Sequence, residues 1–555
     1  MSLRRAAVAL LAVVVVTGAV LWRWWDVLLL PLPGKLAEWR DPIGPPVDVT
    51  WQAGPEVAPL PAAERPPNVV VIVADDLGYD DLTFAGGGIA NGAVPTPNID
   101  SIAKQGVEFT HGYAGNATCA PSRAAIMTGR YPTRFGFEFT PAPKAFMRLI
   151  AYMQRDALRP PIYFEDREVD VPPIDEQGLP PDEVTIAEVL RERGYRTLGL
   201  GKWHLGEAPA MTPAAQGFDE YLGFLQGAAM YLPKGDPEVV NSVQDFDPID
   251  KFLWANLAFN VRKDGGSRFR PREYMTDYLA NEAVRAIEAN RNRPFFLYLA
   301  FNAPHTPLQA LRSDYDALPQ VGNHTERVYA AMIRALDRGV GRVLDALRAN
   351  GLEENTLVVF TSDNGGANYV GLPDLNRPYR GWKMTFFEGG VHTPFFARWP
   401  AALPAGTRFD RPVAHVDIFA TAVAAAGGAK PADRVIDGVD LVQRVRTGGG
   451  GGRPHDAIYW RSGHYRSLLA DGWKLQVSDR PEKTWLFDLG ADPTEKTDLA
   501  DSRPDKVREL RAILAAHEAQ MVPPSWPSLI EGPIAIDHPL NVPDRPEDEY
   551  VYWAN

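Results

Sequence analysis

The stretch NVVVIVADD, beginning at Asn68, constrains the fold more than any other feature of the chain. Its apolar residues are consecutive and mostly β-branched, the pattern of a strand buried on both faces of a parallel sheet. Such a sheet needs helices on both sides, and the sequence supplies them. Thr185-Ile-Ala-Glu188 opens a helix with a capping-box pattern that stops near Gly194, and the strand-like RTLGLG follows at once. A longer helix sets Val328, Met332, Ile333, Leu336, Val340, Val343, Leu344 and Leu347 at spacings of three or four, before the strand TLVVF. The expected fold class is α/β: a large mixed, mainly parallel sheet sandwiched by helices, with a smaller C-terminal α+β subdomain.

The main α/β domain is expected over residues 67–447. Before it, residues 1–30 read as a signal sequence or membrane anchor: Arg4 and Arg5 precede the uncharged run Ala6 to Trp22, and Arg23, Trp24, Trp25 and Asp26 follow. The best small-residue cleavage candidate, Thr17-Gly18-Ala19, lies inside the run, which favours an uncleaved anchor with the arginines on the cytoplasmic side. The protein is therefore expected to be exported, periplasmic or otherwise extracytoplasmic. Residues 31–66, rich in proline, read as an extended tether or strap. Gly448 to Gly452 read as a linker into residues 453–555, where Asp471-Gly472 marks a hairpin and Asp505 to Gln520 a helix. The net charge of -13 opposes a broad nucleic-acid-binding face.

Ligands of open α/β sheets bind beyond the carboxyl ends of the strands, so the residues that end the apolar runs carry the most information. NVVVIVA delivers Asp75 and Asp76, and TLVVFTS delivers Asp363 and Asn364. RTLGLG delivers Lys202 and His204, and FFLYLAFNAP delivers His305. An Asp-Asp pair alone is usually a turn or a cap. Three carboxylates and an amide at one sheet edge form a hard-oxygen set suited to Ca²⁺ ahead of Mg²⁺, and poorly suited to Zn²⁺. With Lys202, His204, His305 and Lys383 around such a metal, the set suits a tetrahedral oxyanion whose charge rises as a bond breaks, as in phosphate and sulfate esters. The only cysteine of the chain, Cys119, stands in CAPSR. Pro121 and Ser122 are expected to begin a helix, placing Cys119 just before an anion-attracting N-terminus and Arg123 one turn in.

These residues resemble the sulfatase family. Cys119-Ala-Pro-Ser-Arg123 with Met127-Thr-Gly-Arg130 is similar to its C-x-P-S-R signature with a downstream T-G-R, and ADDLG, TPNID, GKWHLG, QGFDEYLG, APHTP and TSDNGG follow in the family's order. The resemblance implies that 67–447 is a catalytic domain and that Cys119 is converted by a separate maturation enzyme to formylglycine. The hydrate of that aldehyde attacks sulfur with one hydroxyl and ejects sulfate through the other. It further implies that Asp75, Asp76, Asp363 and Asn364 bind calcium, with Asp363 also orienting the attacking hydroxyl. Arg123 and Lys202 would hold the diol and the metal-side oxygens. His204 would take the proton in the elimination, while Lys202, His305 and Lys383 would bind the sulfate ester. The expected activity is that of a sulfuric ester hydrolase. A phosphonate or phosphate ester hydrolase with the same site is the alternative.

The resemblance departs at His392, where the family often has arginine in EGGVxxP; a scaffold or rim contact is expected there. The segment from Phe135 to Pro180, with AFMRLIAYMQRDALRPPIYF, reads as a substrate lid, a membrane-facing element or a packed surface insertion.

Overall fold

The computed structural model describes residues 17–18, 30–61, 64–84, 86–448 and 452–555. Apart from Thr17 and Gly18, the Ala6–Trp22 run lies outside the described residues, as does the middle of the glycine stretch. No helix among the described residues is long and apolar enough to cross a membrane.

Nine strands form the main sheet, in the spatial order Thr407–Phe409, Val107–Phe109, Phe395–Arg398, Thr356–Ser362, Asn68–Asp75, Phe295–Pro304, Arg196–Lys202, Glu220–Phe224 and Arg262–Lys263. The five from Thr356–Ser362 to Glu220–Phe224 are mutually parallel, with Val71 beside both Val359 and Tyr298. Phe395–Arg398 and Arg262–Lys263 run antiparallel to their inner neighbours. Every residue of Asn68–Asp75 is buried, as its unbroken apolar run requires. Val70 and Ile72 face a core with Ile99, Leu279 and Leu336, while Val69, Val71 and Val73 face another with Ile126, Leu190 and Phe419. Each such side chain contributes roughly 1.5–3 kcal/mol of transfer free energy.

The two expected helices form as Ile186–Glu192 and His324–Ala349. In the first, Thr185 Oγ1 accepts from the Glu188 N–H at 3.2 Å and a Glu188 carboxylate oxygen accepts from the Thr185 N–H at 2.8 Å, a complete capping box.

Residues 31–66 are not uniformly extended. Leu32–Arg40 is a helix on which Leu32, Leu36 and Trp39 follow helical spacing, yet none of its residues is buried. It sits against the Pro248–Asn256 helix, where the Gly34 N–H donates to Asn256 Oδ1 at 2.8 Å. Beyond it the chain does form a strap. Trp51 is buried and its indole N–H donates to Glu282 at 2.9 Å, and the Gly54 N–H donates to Ala289 O at 2.7 Å.

Towards the C-terminus, Ala457–Ser462, Tyr465–Ala470, Trp473–Asp479 and Glu482–Asp488 build an antiparallel sheet backed by the helix Pro504–Glu518. Asp471 and Gly472 both take positive φ (55° and 76°), as a tight hairpin turn between right-twisted strands demands. Trp460, Trp485 and Trp553 share one core with Phe386 and Phe387, so this part packs directly beneath the Lys383 segment. Of the last strands, Ile530–Ala535 lies between Tyr550–Ala554 and Ile162–Tyr163 of the 135–180 segment and pairs with both.

Candidate active site

The carboxyl edge of the parallel strands gathers every residue singled out in the sequence. Asp75 ends one strand and Asp76 follows it; Lys202 ends the next but one, with His204 two residues on. His305 follows Pro304, and Asp363 and Asn364 follow Ser362. Cys119 and Lys383 reach the same point from outside the sheet. The Met384 N–H donates to Ala117 O at 2.9 Å, tying the Lys383 segment to the chain just before Cys119.

The helix bearing Cys119 starts earlier than expected. It spans Cys119–Thr128 with Thr118 as the extended N-cap residue, so Cys119 is its first residue rather than a residue before it. Proline is tolerated throughout the first turn, where N–H groups lack helical partners, so Pro121 did not mark the start. Cys119 is buried at 3% exposure. Its Sγ lies 3.2 Å from Lys383 Nζ and 3.5 Å from one oxygen each of Asp75 and Asp76. Burial, reinforced by Asp363, pushes the thiol well above its ordinary range despite Lys202 and Lys383. Cys119 is therefore a protonated thiol, which disfavours a thiolate nucleophile.

Around it three carboxylates meet three fixed cations. Lys202 Nζ donates to both Asp75 oxygens at 2.8 Å. Arg123 Nε and a terminal nitrogen lie 2.9 and 2.8 Å from one Asp363 oxygen, and the guanidinium is completely buried. Lys383 Nζ lies 2.8 Å from Asp76. Burial opposes the Asp76 charge, but Lys383 foremost, with Lys202, outweighs it and holds this carboxyl well below the usual range. Burial likewise opposes the Lys383 charge, and Asp76 leads the groups that hold its pKa well above the ordinary lysine value.

Burial disfavours the charged form of both histidines. Burial, with Lys202 and Arg123 nearby, drives His204 well below its ordinary value, and its Nδ1 is buried without a partner. Burial lowers His305 to about 3 against the pull of Asp76. Its Nδ1 donates to Thr306 O, leaving Nε2 3.6 Å from Asp76. The backbone is strained at this edge: Asp76, His204 and Met384 take φ of 61°, 60° and 68°, a left-handed conformation that costs roughly 1–2 kcal/mol for residues with a Cβ. Gly227 packs on the His204 ring so closely that a Cβ there would lie 2.8 Å from Nε2.

Hard-cation binding has structural support. Oxygens of Asp75 and Asp76 lie within 4.8 Å of each other, in a group completed by Cys119 and His305, which are not hard-oxygen ligands. Asn364 Oδ1 is a buried carbonyl oxygen without a hydrogen-bond partner, while its Nδ2 donates to Asp76 at 2.8 Å. An orphaned hard oxygen beside Asp76 suits calcium or magnesium.

Sequence reasoning missed two residues here. The Tyr369 hydroxyl donates to Asp76 at 2.6 Å and accepts from Lys383 at 2.9 Å. The Tyr298 hydroxyl lies 3.5 Å from Arg123. Only the inward position of Tyr298 on its strand carried any signal. His392 stands apart as a buried scaffold residue. Its Nδ1 and Nε2 meet Glu388 at 2.8 Å and Thr110 O at 2.9 Å, and its ring stacks on Tyr379.

The sulfatase family model matches residues 67–429, and the chain belongs to the sulfatase family. It is 33% identical to N-acetylgalactosamine-6-sulfatase of Canis lupus familiaris over 350 residues, 62% of this chain and 59% of that protein's length. It is 32% identical to steryl-sulfatase of Mus musculus over 439 residues, covering 67% and 63%. The crystal structure of Ps i-CgsB in complex with k-i-k-neocarrahexaose superposes with a TM-score of 0.68 at 34% identity, covering 83% of this chain and 95% of that one. A phosphonate monoester hydrolase of Agrobacterium radiobacter, at 20% identity and a TM-score of 0.56, shares the fold.

Proposed function

We propose that this protein is a sulfuric ester hydrolase, cleaving a sulfate monoester to an alcohol and inorganic sulfate. The observation that carries the reading is the placement of Cys119: a buried thiol on the first residue of a helix, touching Lys383, Asp75 and Asp76 at the edge of a parallel sheet. In a family of this kind the thiol is the precursor of formylglycine, made by a separate maturation enzyme. As the hydrated aldehyde it supplies one hydroxyl to attack sulfur and a second whose deprotonation releases sulfate.

Asp75, Asp76, Asp363 and Asn364 would hold a calcium ion, which supplies charge that favours the sulfate oxygens at this edge. The rest is work for the side chains present. Arg123, fixed by Asp363 in a planar fork, orients the residue at 119. Lys202 and Lys383 bind the sulfate oxygens, joined by His305 once Nε2 is protonated, and Lys383, beside residue 119, is placed to protonate the departing oxygen. His204, neutral and with an unengaged Nδ1, takes the proton that frees sulfate. Such a transfer is typically worth about 10²–10⁴ in rate. Three carboxylates and three cations already cancel, so a divalent cation would bring the charge that balances a sulfate dianion.

The relatives' names span a sugar sulfate and a steryl sulfate, so membership alone does not choose the alcohol. The basic and apolar N-terminus supports a place outside the cytoplasm, with anchoring at the membrane. The test compares an aryl sulfate with the matching aryl phosphonate monoester, with and without a calcium chelator. Higher kcat/KM for the sulfate, lost on chelation and restored by calcium, is expected. Higher kcat/KM for the phosphonate would replace this reading with the phosphonate hydrolase.

A further inference from the structure

The catalytic cluster opens into a cavity of about 400 Å³, within the range that holds a drug-sized ligand. Its inner end is Cys119, His204, His305 and Lys383. Its outer walls are of a different character. The helix Lys144–Met153 contributes Phe146, Met147 and Ile150; the helix Pro248–Asn256 contributes Ile249, Phe252 and Leu253. The rings of Phe146 and Phe252 meet at 4.5 Å and join the two helices into one roof. Ile530, Ile534 and Trp553 from the C-terminal strands and Leu540 from the loop between them complete the lining, all beyond the family-matched residues.

Charge is segregated along this cavity. Lys383 is the one Lys or Arg side chain among the described residues that line it, and it belongs to the catalytic end. Several polar groups on the walls are already engaged. The Asn555 amide bonds the Thr140 backbone in both directions, at 2.8 and 3.2 Å. The Asp247 carboxylate accepts the N–H groups of Ile249 and Asp250, and the Gln226 amide donates to Glu207 at 2.7 Å. A sugar ring placed here would surrender water from its hydroxyls for few partners, chiefly Gln154 and Asn368, and a polyanion would find no cations beyond the first sulfate.

We infer that the alcohol of the natural substrate is a bulky, largely hydrocarbon body of fused-ring size, its sulfate held at the Cys119–Lys383 end and its apolar part against the Phe146–Phe252 roof. This rests on the proposed sulfatase reaction and assigns the 135–180 segment the role of a substrate-binding wall.

The test uses the matured full chain and two phenol sulfates of similar leaving group, phenyl sulfate and estrone 3-sulfate, so that only the apolar body differs. The kcat/KM for the fused-ring ester is expected to be at least about tenfold higher, since even one methylene in an apolar pocket can supply that much. Phe252→Asn and Ile150→Asn, made separately, are expected to pull this ratio towards one. A wild-type ratio at or below one, or a ratio unmoved by both variants, overturns the inference. Hydrolysis of neither ester by matured enzyme would instead overturn the sulfatase reading beneath it.

Discussion

Tyr369→Phe removes one oxygen atom and leaves the ring in place. In the wild-type protein that oxygen donates to Asp76 at 2.6 Å and accepts from Lys383 at 2.9 Å, in a site closed to bulk water. A hydrogen bond to a charged group is worth about 1.5–3 kcal/mol. Both partners keep other contacts: Lys383 retains Asp76, and Asp76 retains Lys383 and Asn364. The net loss should therefore be that of about one charge-assisted bond rather than two. If Tyr369 fixes Lys383 for the departing oxygen, that loss appears in the transition state, a fall in kcat of about 10- to 150-fold. The assay is initial-rate hydrolysis of an aryl sulfate, normalised to the fraction of Cys119 converted, beside a thermal melt. A drop in kcat with KM moved less than about threefold and a preserved melt fits the positioning role. An unchanged kcat with a lowered melting temperature would refute it and leave Tyr369 as a structural residue.

Two further outcomes follow from groups outside the catalytic cluster. Burial raises the carboxyl groups of Asp247 and Asp250 to about 7, beyond what the N–H groups of Ile249, Asp250 and Gln244 win back. A raised folded-state pKa gives stability that is full below the unfolded carboxylate value and is lost as pH rises through 7. Asp250→Asn should therefore raise the melting temperature relative to wild type at pH 8 and change it little at pH 4, and a lower melting temperature for the variant at pH 8 would contradict this. Trp51→Ala should destabilise the domain by about 3–5 kcal/mol in chemical denaturation, because a buried aromatic and its hydrogen bond to Glu282 hold the strap. A loss below about 1 kcal/mol would mean the strap merely lies on the surface.

The catalytic edge was legible because a parallel sheet writes its strands as unbroken apolar runs and ends them at the ligand side. Asp75, Lys202, His305 and Asp363 are each the residue at or just past such an end. Lys383 has no strand to announce it, and only its charge beside the expected metal set marked it. Tyr369, in the short turn Asn368–Val370, has neither signal, since its partners Asp76 and Lys383 come close only in the folded chain. The helix Leu32–Arg40 was masked by its short length and by Pro31 and Pro33 at its start, although Leu32, Leu36 and Trp39 follow helical spacing. The apolar cavity was hidden for a different reason: its walls come from residues near 146, 252 and 534, and no local pattern shows that these segments face one another.

The most direct test is peptide mass analysis of the segment carrying Cys119, after co-expression with a maturation enzyme, alongside sulfate release by the same preparation. The account predicts a residue 119 in which the thiol side chain is replaced by an aldehyde, with turnover proportional to the converted fraction. Full activity from protein whose Cys119 remains an intact thiol, or none from fully converted protein, would contradict it.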